Sequence, residues 1–550
     1  MEQGKKAASG KIGIWLPLLF SIVLIVGMLI GLQLSRAVPV VMLDDQASTS
    51  QTPSPGKLEE LLRYIESKYV DSVDRDQLVD DAIYRILEQL DPHSSYIPAE
   101  DLQHANEQLK GNFEGIGVEY MMLEDTMVVV SPLPGGPSEE AGLRAGDKIV
   151  MVDDSLIAGV GMRRKDLVSL LRGQKGTEVV VGIKRGRDTN LRRFTITRDE
   201  IDMNTVDAAY MLDDKTGYIK LNFFSATTYE EFMQALEQMV DDKGMKDLII
   251  DLRHNPGGYL QQATQILSQL FRQKGELLVY TEGYSAHRTE YKTHGRALFD
   301  IEKIAVLIDE NSASASEIMA GALQDHDRAL IVGRRSFGKG LVQEPYMLSD
   351  GSALRLTVAR FYTPSGRSIQ KSYDDMESYR EDVWHRIESG ELTSAEKQIV
   401  LDSAPYFTDK GRKVYGGGGI QPDVFVPLDP VFYESAYMDV RPYLQEFIYR
   451  QKESGLLKRQ EITSSELNAD FALLEPLYQE FRDFLDTKAL NPGEGEWDLI
   501  EKKLKEQILA EIADLFLGKE AYFRVLGKWD PVLQEARSSL RNDRPISKNG

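Results

Sequence analysis

The spacing of apolar residues divides the chain into stretches of different character. Residues 12–34 are almost continuously apolar, broken only by small residues and Gln33, over about the length that crosses a bilayer. Between residues 57 and 111, apolar side chains recur at helical intervals (Leu58, Leu61, Leu62, Ile65, then Leu78, Ile83, Ile86, Leu87, Leu90). This predicts a small helical segment with solvated charged faces. From Phe113 to Ile201 the pattern switches to short β-rich runs at 126–130, 148–152, 179–184 and 193–197. Gly-Gly, Asp-Asp and Gly-Arg turns separate these runs, and one helical stretch occupies 164–171, so the segment reads as a compact β domain. From Tyr210 to about Pro430, strands at 218–221, 248–252, 304–308, 330–332 and 354–359 alternate with helices at 228–241, 260–272 and 315–324. That alternation predicts an α/β core. Beyond Pro430 the pattern is charged and helical, longest at 467–485 and 497–517, and Pro476 is expected to kink or divide the first of these.

The fold class that follows is a multidomain α/β (α+β) protein, since 550 residues exceed one compact domain. The divisions are a cytoplasmic stub and transmembrane anchor (1–35), a flexible linker (36–56), the helical segment (57–111), the β-rich domain (112–201), the α/β core (202–430) and a helical extension (431–550). The linker is rich in Ser, Thr, Gln and Pro, as a flexible tether requires. Lys5, Lys6 and Lys11 precede the apolar run, which predicts a cytoplasmic N-terminus and a body outside the cytoplasm. A cleaved signal peptide is the rival reading. Its apolar region is usually shorter, and Leu34-Ser35-Arg36-Ala37 is a weak match to a cleavage site.

Composition narrows the chemistry. The formal net charge of −22 argues against nucleic-acid binding, which needs clustered Lys and Arg. The absence of cysteine excludes disulfides, thiolate metal sites and a Cys nucleophile. The seven histidines form no HExxH or similar pattern, so neither a metal nor a cofactor is expected.

Three segments carry candidate chemistry. Asn311-Ser312-Ala313-Ser314-Ala315-Ser316-Glu317 follows a buried-looking strand and opens a helix. A hydroxyl there is rigidly held beside free helix N–H groups, as a nucleophile needs, although an N-cap serine is the commoner role. Ser336-Phe337-Gly338-Lys339-Gly340 offers a lysine between two glycines. Lysine serves as a base if burial lowers its pKa. The bland alternative is a surface lysine in a turn, and GxxxxGK[ST] is absent because Gly340 follows Lys339. Arg253-His254-Asn255-Pro256-Gly257-Gly258 is a turn whose N–H groups can face an oxyanion. His326 lies twelve residues after Ser314 along the same predicted helix, roughly 18 Å away at about 1.5 Å per residue, and cannot reach it. His254 is the one histidine able to approach Ser314 and is the rival base.

Taken together, these segments resemble the carboxyl-terminal processing proteases, also called tail-specific proteases. The resemblance also rests on Leu90-Asp91-Pro92-His93-Ser94-Ser95-Tyr96, Gly111-Asn112-Phe113-Glu114-Gly115-Ile116-Gly117-Val118, Gly338-Lys339-Gly340-Leu341-Val342-Gln343, Thr363-Pro364-Ser365-Gly366-Arg367-Ser368-Ile369-Gln370 and Gly418-Gly419-Ile420-Gln421-Pro422-Asp423. The motifs keep the family's order over roughly residues 57–428. The resemblance implies Ser314 as nucleophile, Lys339 as general base, and Gln343, a helical turn or so beyond, orienting the lysine. It implies an oxyanion site from the N–H of Ala315 and of either Gly257 or Gly258. It also implies a crotonase/ClpP-like core.

The β domain resembles a PDZ domain, with Gly115, Ile116, Gly117 and Val118 as its carboxylate-binding loop and 141–149 as a second signature. Glycines around apolar residues free consecutive N–H groups to hold a carboxylate, while a strand edge pairs with an extended peptide. The partners implied are protein or peptide substrates with accessible C-termini, outside the cytoplasm in a bacterial periplasm. The amphipathic segment 57–90 mediates a homodimer, as in some relatives, or is buried within the monomer. The C-terminal helices bind an adaptor, assist assembly or pack on the core. The rival functions are a catalytically silent membrane-anchored PDZ scaffold and a crotonase-like thioester enzyme, which needs no nucleophilic serine.

Overall fold

The computed structural model describes residues 56–399, 404–457 and 474–542, apart from 187 and 189. The apolar run 12–34 and nearly all of its linker lie outside the described residues. Among those described, no helix is long and apolar enough to cross a membrane. The described residues up to Val79 form a separate unit. There Lys57–Lys68 is helical, Arg75 opens the next helix, and the two meet through an Arg75–Glu59 ion pair at 2.9 Å.

The central six-stranded sheet runs in chain order: Val206–Met211, Thr216–Leu221, Asp247–Asp251, Lys303–Ile308, Leu330–Gly333 and Val424–Phe425. The first pair is antiparallel and the rest are parallel. Parallel neighbours in chain order need crossovers of one hand, which puts their helices on one face. Those helices are Thr228–Val240, Leu260–Leu270 and Ala315–Asp325. Alternate strand residues follow suit: Ile219, Leu248, Ile250, Val306 and Ile308 pack with Phe232, Leu236, Ile266 and Met319. The intervening Tyr218, Ile249, Ala305, Leu307 and Val332 face the other way. A parallel sheet apolar on both faces needs cover on both. The second cover is the helix Pro531–Arg541, through Val532, Leu533, Ala536 and Leu540. Of the roles open to the C-terminal helices, this one packs on the core.

A second, antiparallel sheet has Ala353–Tyr362 at its centre, flanked by Leu341–Met347 on one side and by Ser95–Ile97 and Leu277–Glu282 on the other. The helical segment 57–111 also contains one element that its pattern does not announce. Ser95–Ile97 is a strand between helices, too short for its period to show in the sequence.

The β domain is an antiparallel sheet of Val118–Leu123, Thr126–Pro132, Asp147–Val152, Glu178–Arg185 and Arg192–Thr197. The helix Arg164–Leu171 packs on its core through Leu167 and Leu171. The chain enters and leaves this domain through two paired strands, Asn112–Gly115 and Asp199–Asp202. Beyond Pro430, four helices enclose their own core of Tyr437, Phe447, Tyr478, Phe481 and Trp497. Pro476 sits in the first turn of Glu475–Asp486, where its missing N–H forfeits no bond, so it starts the helix instead of kinking it. The helix Leu444–Ser454 reaches the β domain through Arg450–Glu124 at 3.1 Å and Glu453–Lys148 at 3.6 Å.

Since Leu533 is 1% exposed against the sheet, Leu533→Ala should destabilise the protein by about 2–5 kcal/mol. Urea unfolding followed by tryptophan fluorescence and circular dichroism checks this. An unchanged main transition would mean that the closing helix is not part of the core.

Candidate active site

Three adjacent parallel strands end on the same side of the central sheet, and each runs into one of the candidate segments. Ligands in open α/β sheets gather at this carboxyl edge. Lys303–Ile308 leads to Ser314, Asp247–Asp251 to the Pro-Gly-Gly turn, and Leu330–Gly333 to Lys339.

Ser314 is the N-cap of Ala315–Asp325 and has φ 53° and ψ −113°. This is backbone that non-glycine residues rarely adopt and that persists only where neighbours enforce it. The neighbours are visible. Ala313 donates its N–H to the carbonyl of Asn255 (3.0 Å), Ser314 donates its own to Glu317 Oε2 (2.9 Å), and Ser316 Oγ donates to the Asn255 carbonyl (3.0 Å). Ala315 opens the helix, and its N–H has no partner among the described residues.

Asn255 is fully buried and stitches the opposing turn to the serine turn. Its side chain donates to the Leu221 carbonyl (3.1 Å) and accepts the Gly257 N–H (2.9 Å). Gly257 has φ 98°, and a Cβ there would lie 2.8 Å from Ser314 Cβ and 2.7 Å from the Ala313 carbonyl oxygen. Only glycine fits so close to the serine. Its N–H is already engaged, whereas the Gly258 N–H has no partner among the described residues.

Glu317, wholly buried, joins the serine segment to the lysine segment. Its Oε2 accepts the N–H of Ser314 (2.9 Å) and of Lys339 (2.8 Å), while Oε1 accepts the Gly338 N–H (2.7 Å) and the Ser336 hydroxyl (2.5 Å). Burial pushes its pKa up to about 7, against the pull of those four donors. Lys339 is pushed below the ordinary lysine value, first by burial and then by the charge of Arg355, with Glu317 and Asp91 opposing. Its Nζ donates to Gln343 Oε1 at 3.0 Å. No hydrogen bond joins it to the Ser314 hydroxyl.

Gln343 sits on the strand Leu341–Met347, at a register shift after Val342. The expectation of a helical turn between it and Lys339 is therefore corrected: a loop and a bulged strand bring the two side chains together. The Gln343 amide donates to the carbonyl of His93, which leaves its oxygen facing the lysine. His93 is fixed in turn by its N–H to Asp91 Oδ1 (2.8 Å) and its ring to the Tyr379 hydroxyl (2.6 Å). Burial, then the charge of Lys339, pushes the His93 pKa down to about 4, so the ring is neutral at physiological pH.

The rival base is drawn elsewhere. His254 is largely exposed, with Nδ1 3.2 Å from Asp309 and 3.1 Å from the Asn311 amide. His326 caps the far end of the serine's helix, between Asp409 (2.7 Å) and the Leu277 carbonyl (2.7 Å). Among the described residues, no cluster of His, Asp or Glu fits a metal ion.

In the β domain, Gly115–Val118 forms the connection into the first sheet strand, with Gly117 at φ 67°. The Ile116 carbonyl accepts from the Ser138 N–H (3.0 Å) and hydroxyl (2.6 Å), and the Gly117 carbonyl accepts from the Leu133 N–H (3.1 Å). The N–H groups of Ile116 and Gly117 have no partners among the described residues.

Glu317, Asn255 and His93 lie inside the motifs, yet their roles emerge only from the structure. For Glu317 a signal existed: Ser314-x-x-Glu317 is the spacing of a capping box. His93, and Asn255 in its bonds to Leu221 and the serine segment, act through long-range contacts that spacing does not encode.

Comparison with known proteins identifies the family. A family model described as Peptidase family S41 matches residues 215–377, and a PDZ domain model matches 128–185. The carboxy-terminal-processing protease of Bartonella bacilliformis is 39% identical over 316 residues, covering 56% of this chain and 71% of that protein. Carboxy-terminal processing protease CtpB of Bacillus subtilis is 35% identical over 331 residues, covering 59% and 68%. A solved structure, the photosystem II D1 C-terminal processing protease, is 33% identical, covers 57% of this chain and 84% of its own, and gives a TM-score of 0.32. The chain therefore belongs to peptidase family S41, as a serine protease of the carboxy-terminal-processing group that carries a PDZ domain.

Proposed function

We propose that the chain is a membrane-anchored endopeptidase that cleaves extracytoplasmic proteins with a Ser314–Lys339 dyad and selects them by their C-terminal tails. The observation that carries the reading is the Glu317 carboxylate, one oxygen of which binds the main chain of both Ser314 and Lys339. The Ser314 hydroxyl attacks the scissile carbonyl and passes its proton to neutral Lys339. Lys339 then delivers that proton to the leaving amine and later activates the water that releases the acyl group. Burial of Lys339 favours the neutral amine this needs. Gln343 holds the amine until substrate arrives. The open N–H groups of Ala315 and Gly258 receive the oxyanion, since that of Gly257 is taken by Asn255.

Tail selection rests on the Gly115–Val118 loop. Its carbonyls are tied back to 133–138 while the Ile116 and Gly117 N–H groups stay open, the arrangement that holds a terminal carboxylate. Docking there raises the local concentration of upstream peptide bonds near Ser314. The anchor rests on the apolar run 12–34 and the lysines before it. Extraction by carbonate, or a mature N-terminus near Ala37, would contradict it.

Lys339→Ala should abolish proteolysis with the fold intact, whereas His254→Ala should retain it; the reverse would overturn the base assignment. Wild-type kcat/KM should rise with pH as Lys339 deprotonates, and fall as pH drops through about 7, where Glu317 protonates and its grip on both segments slackens. Stability should move oppositely. Glu317 has a folded pKa above its ordinary 4.5, so its contribution to stability is complete below 4.5 and is lost as pH rises through about 7. Glu317→Gln turns an amide NH2 toward two donors. It should cost roughly tenfold or more in kcat and remove this part of the pH dependence of the urea midpoint.

An unfolded substrate with a free C-terminus should be cleaved faster than its C-terminally amidated form, and deletion of the PDZ domain should erase the difference. Equal rates with the intact enzyme would refute carboxylate recognition and leave the dyad standing.

A further inference from the structure

Arg253 lies between the strand end at Asp251 and the Pro-Gly-Gly turn, and carboxylates from distant parts of the chain hold it. Nε donates to Asp251 at 3.0 and 3.1 Å, and Nη2 at 2.6 Å. Nη1 and Nη2 donate to the two oxygens of Asp530 at 3.1 and 2.6 Å, a two-pronged pairing. Arg253 and Asp530 are 18% and 17% exposed. Beneath them, buried Lys220 donates to the Arg253 carbonyl and lies 3.6 Å from Asp251. Two cations and two carboxylates therefore balance in a poorly solvated site, and loss of either carboxylate leaves an uncompensated positive charge there.

Asp530 is itself immobilised. As N-cap of Pro531–Arg541 it accepts the N–H groups of Val532 (2.9 Å) and Leu533 (3.2 Å). The helix behind it is packed on the sheet by Val532, Leu533 and Ala536. At the far end of that helix, Arg537 and Arg541 bind Asp213 at 3.0 and 2.7 Å. The main chain of Arg253 runs directly into the turn that carries Asn255, Gly257 and Gly258.

We propose that Asp530 is a positioning residue for this turn: through Arg253, the closing helix fixes the backbone donors beside Ser314. The inference rests on the reading of Gly258 as an oxyanion donor. It assigns the C-terminal extension a part in the reaction, through the position of that turn.

The test uses Asp530→Ser and Asp530→Asn in the full-length protein. Ser and Asn cap helices about as well as Asp. Ser cannot reach Arg253, and Asn offers it only a neutral oxygen. Initial rates on a short chromogenic peptide and amide hydrogen exchange are measured together. Asp530→Ser should lose on the order of ten- to hundredfold in kcat with KM changed less than about twofold; Asp530→Asn should fall between it and wild type. The pH profile of kcat, set by Lys339 and Glu317, should stay put. The bonded amides of 253–255 and 257 should exchange faster while 531–541 stays protected. Wild-type exchange in the turn would overturn the proposal, as would loss of protection throughout 531–541, which would make the effect one of helix packing. Faster exchange in the turn with unchanged kcat would leave Asp530 as its anchor and count against the oxyanion assignment instead.

Discussion

The Glu317 carboxylate is the fixed point of this structure. Burying an ionised carboxylate costs several kcal/mol unless its oxygens are fully occupied, and here two oxygens take four donors. Because Oε2 takes the main-chain N–H of Ser314 and of Lys339, the two segments cannot move apart without leaving that buried oxygen short of donors. The same bond helps hold Ser314 in its rare backbone conformation. The arrangement therefore holds the main chain at Ser314 and Lys339 in one fixed relation. The lysine amine hangs on a longer lever, with Gln343 and the His93 carbonyl setting its direction.

Sheet topology imposes a second constraint. Parallel strands in chain order send their crossover helices to one side, so the other side needs cover from elsewhere. The chain meets that need with the helix Pro531–Arg541, and in doing so brings Asp530 to Arg253. A segment outside the family's shared motifs thus completes the core on which those motifs stand.

Much of this was legible in the sequence, for physical reasons that differ from element to element. Strands 304–308 and 330–332 and helix 164–171 were readable because apolar period and flanking turns agree. Local pattern offers Ser314 and Lys339 as candidates and motif resemblance adds Gln343; the structure brings Lys339 and Gln343 into contact. The path between them was misjudged, because a β-bulge leaves no periodic trace. The strand Ser95–Ile97 was missed since three residues cannot show alternation. Pro476 looked like a breaker inside a long helix and is instead at a helix start, a distinction that depends on where the preceding turn ends. Asn255 and Asp530 were invisible because each acts on partners far away in the chain.

The paired strands Asn112–Gly115 and Asp199–Asp202 have a further consequence. A domain whose entry and exit lie side by side on one ribbon is, to the rest of the polypeptide, a hairpin of arbitrary size. Loop-closure entropy grows only slowly with the length enclosed, so the host core is nearly indifferent to what the ribbon carries. The module can be lengthened, exchanged for one with another preference, or reduced to a tight turn without redrawing the sheet. Recognition and bond cleavage are thereby free to diversify at separate rates within one chain.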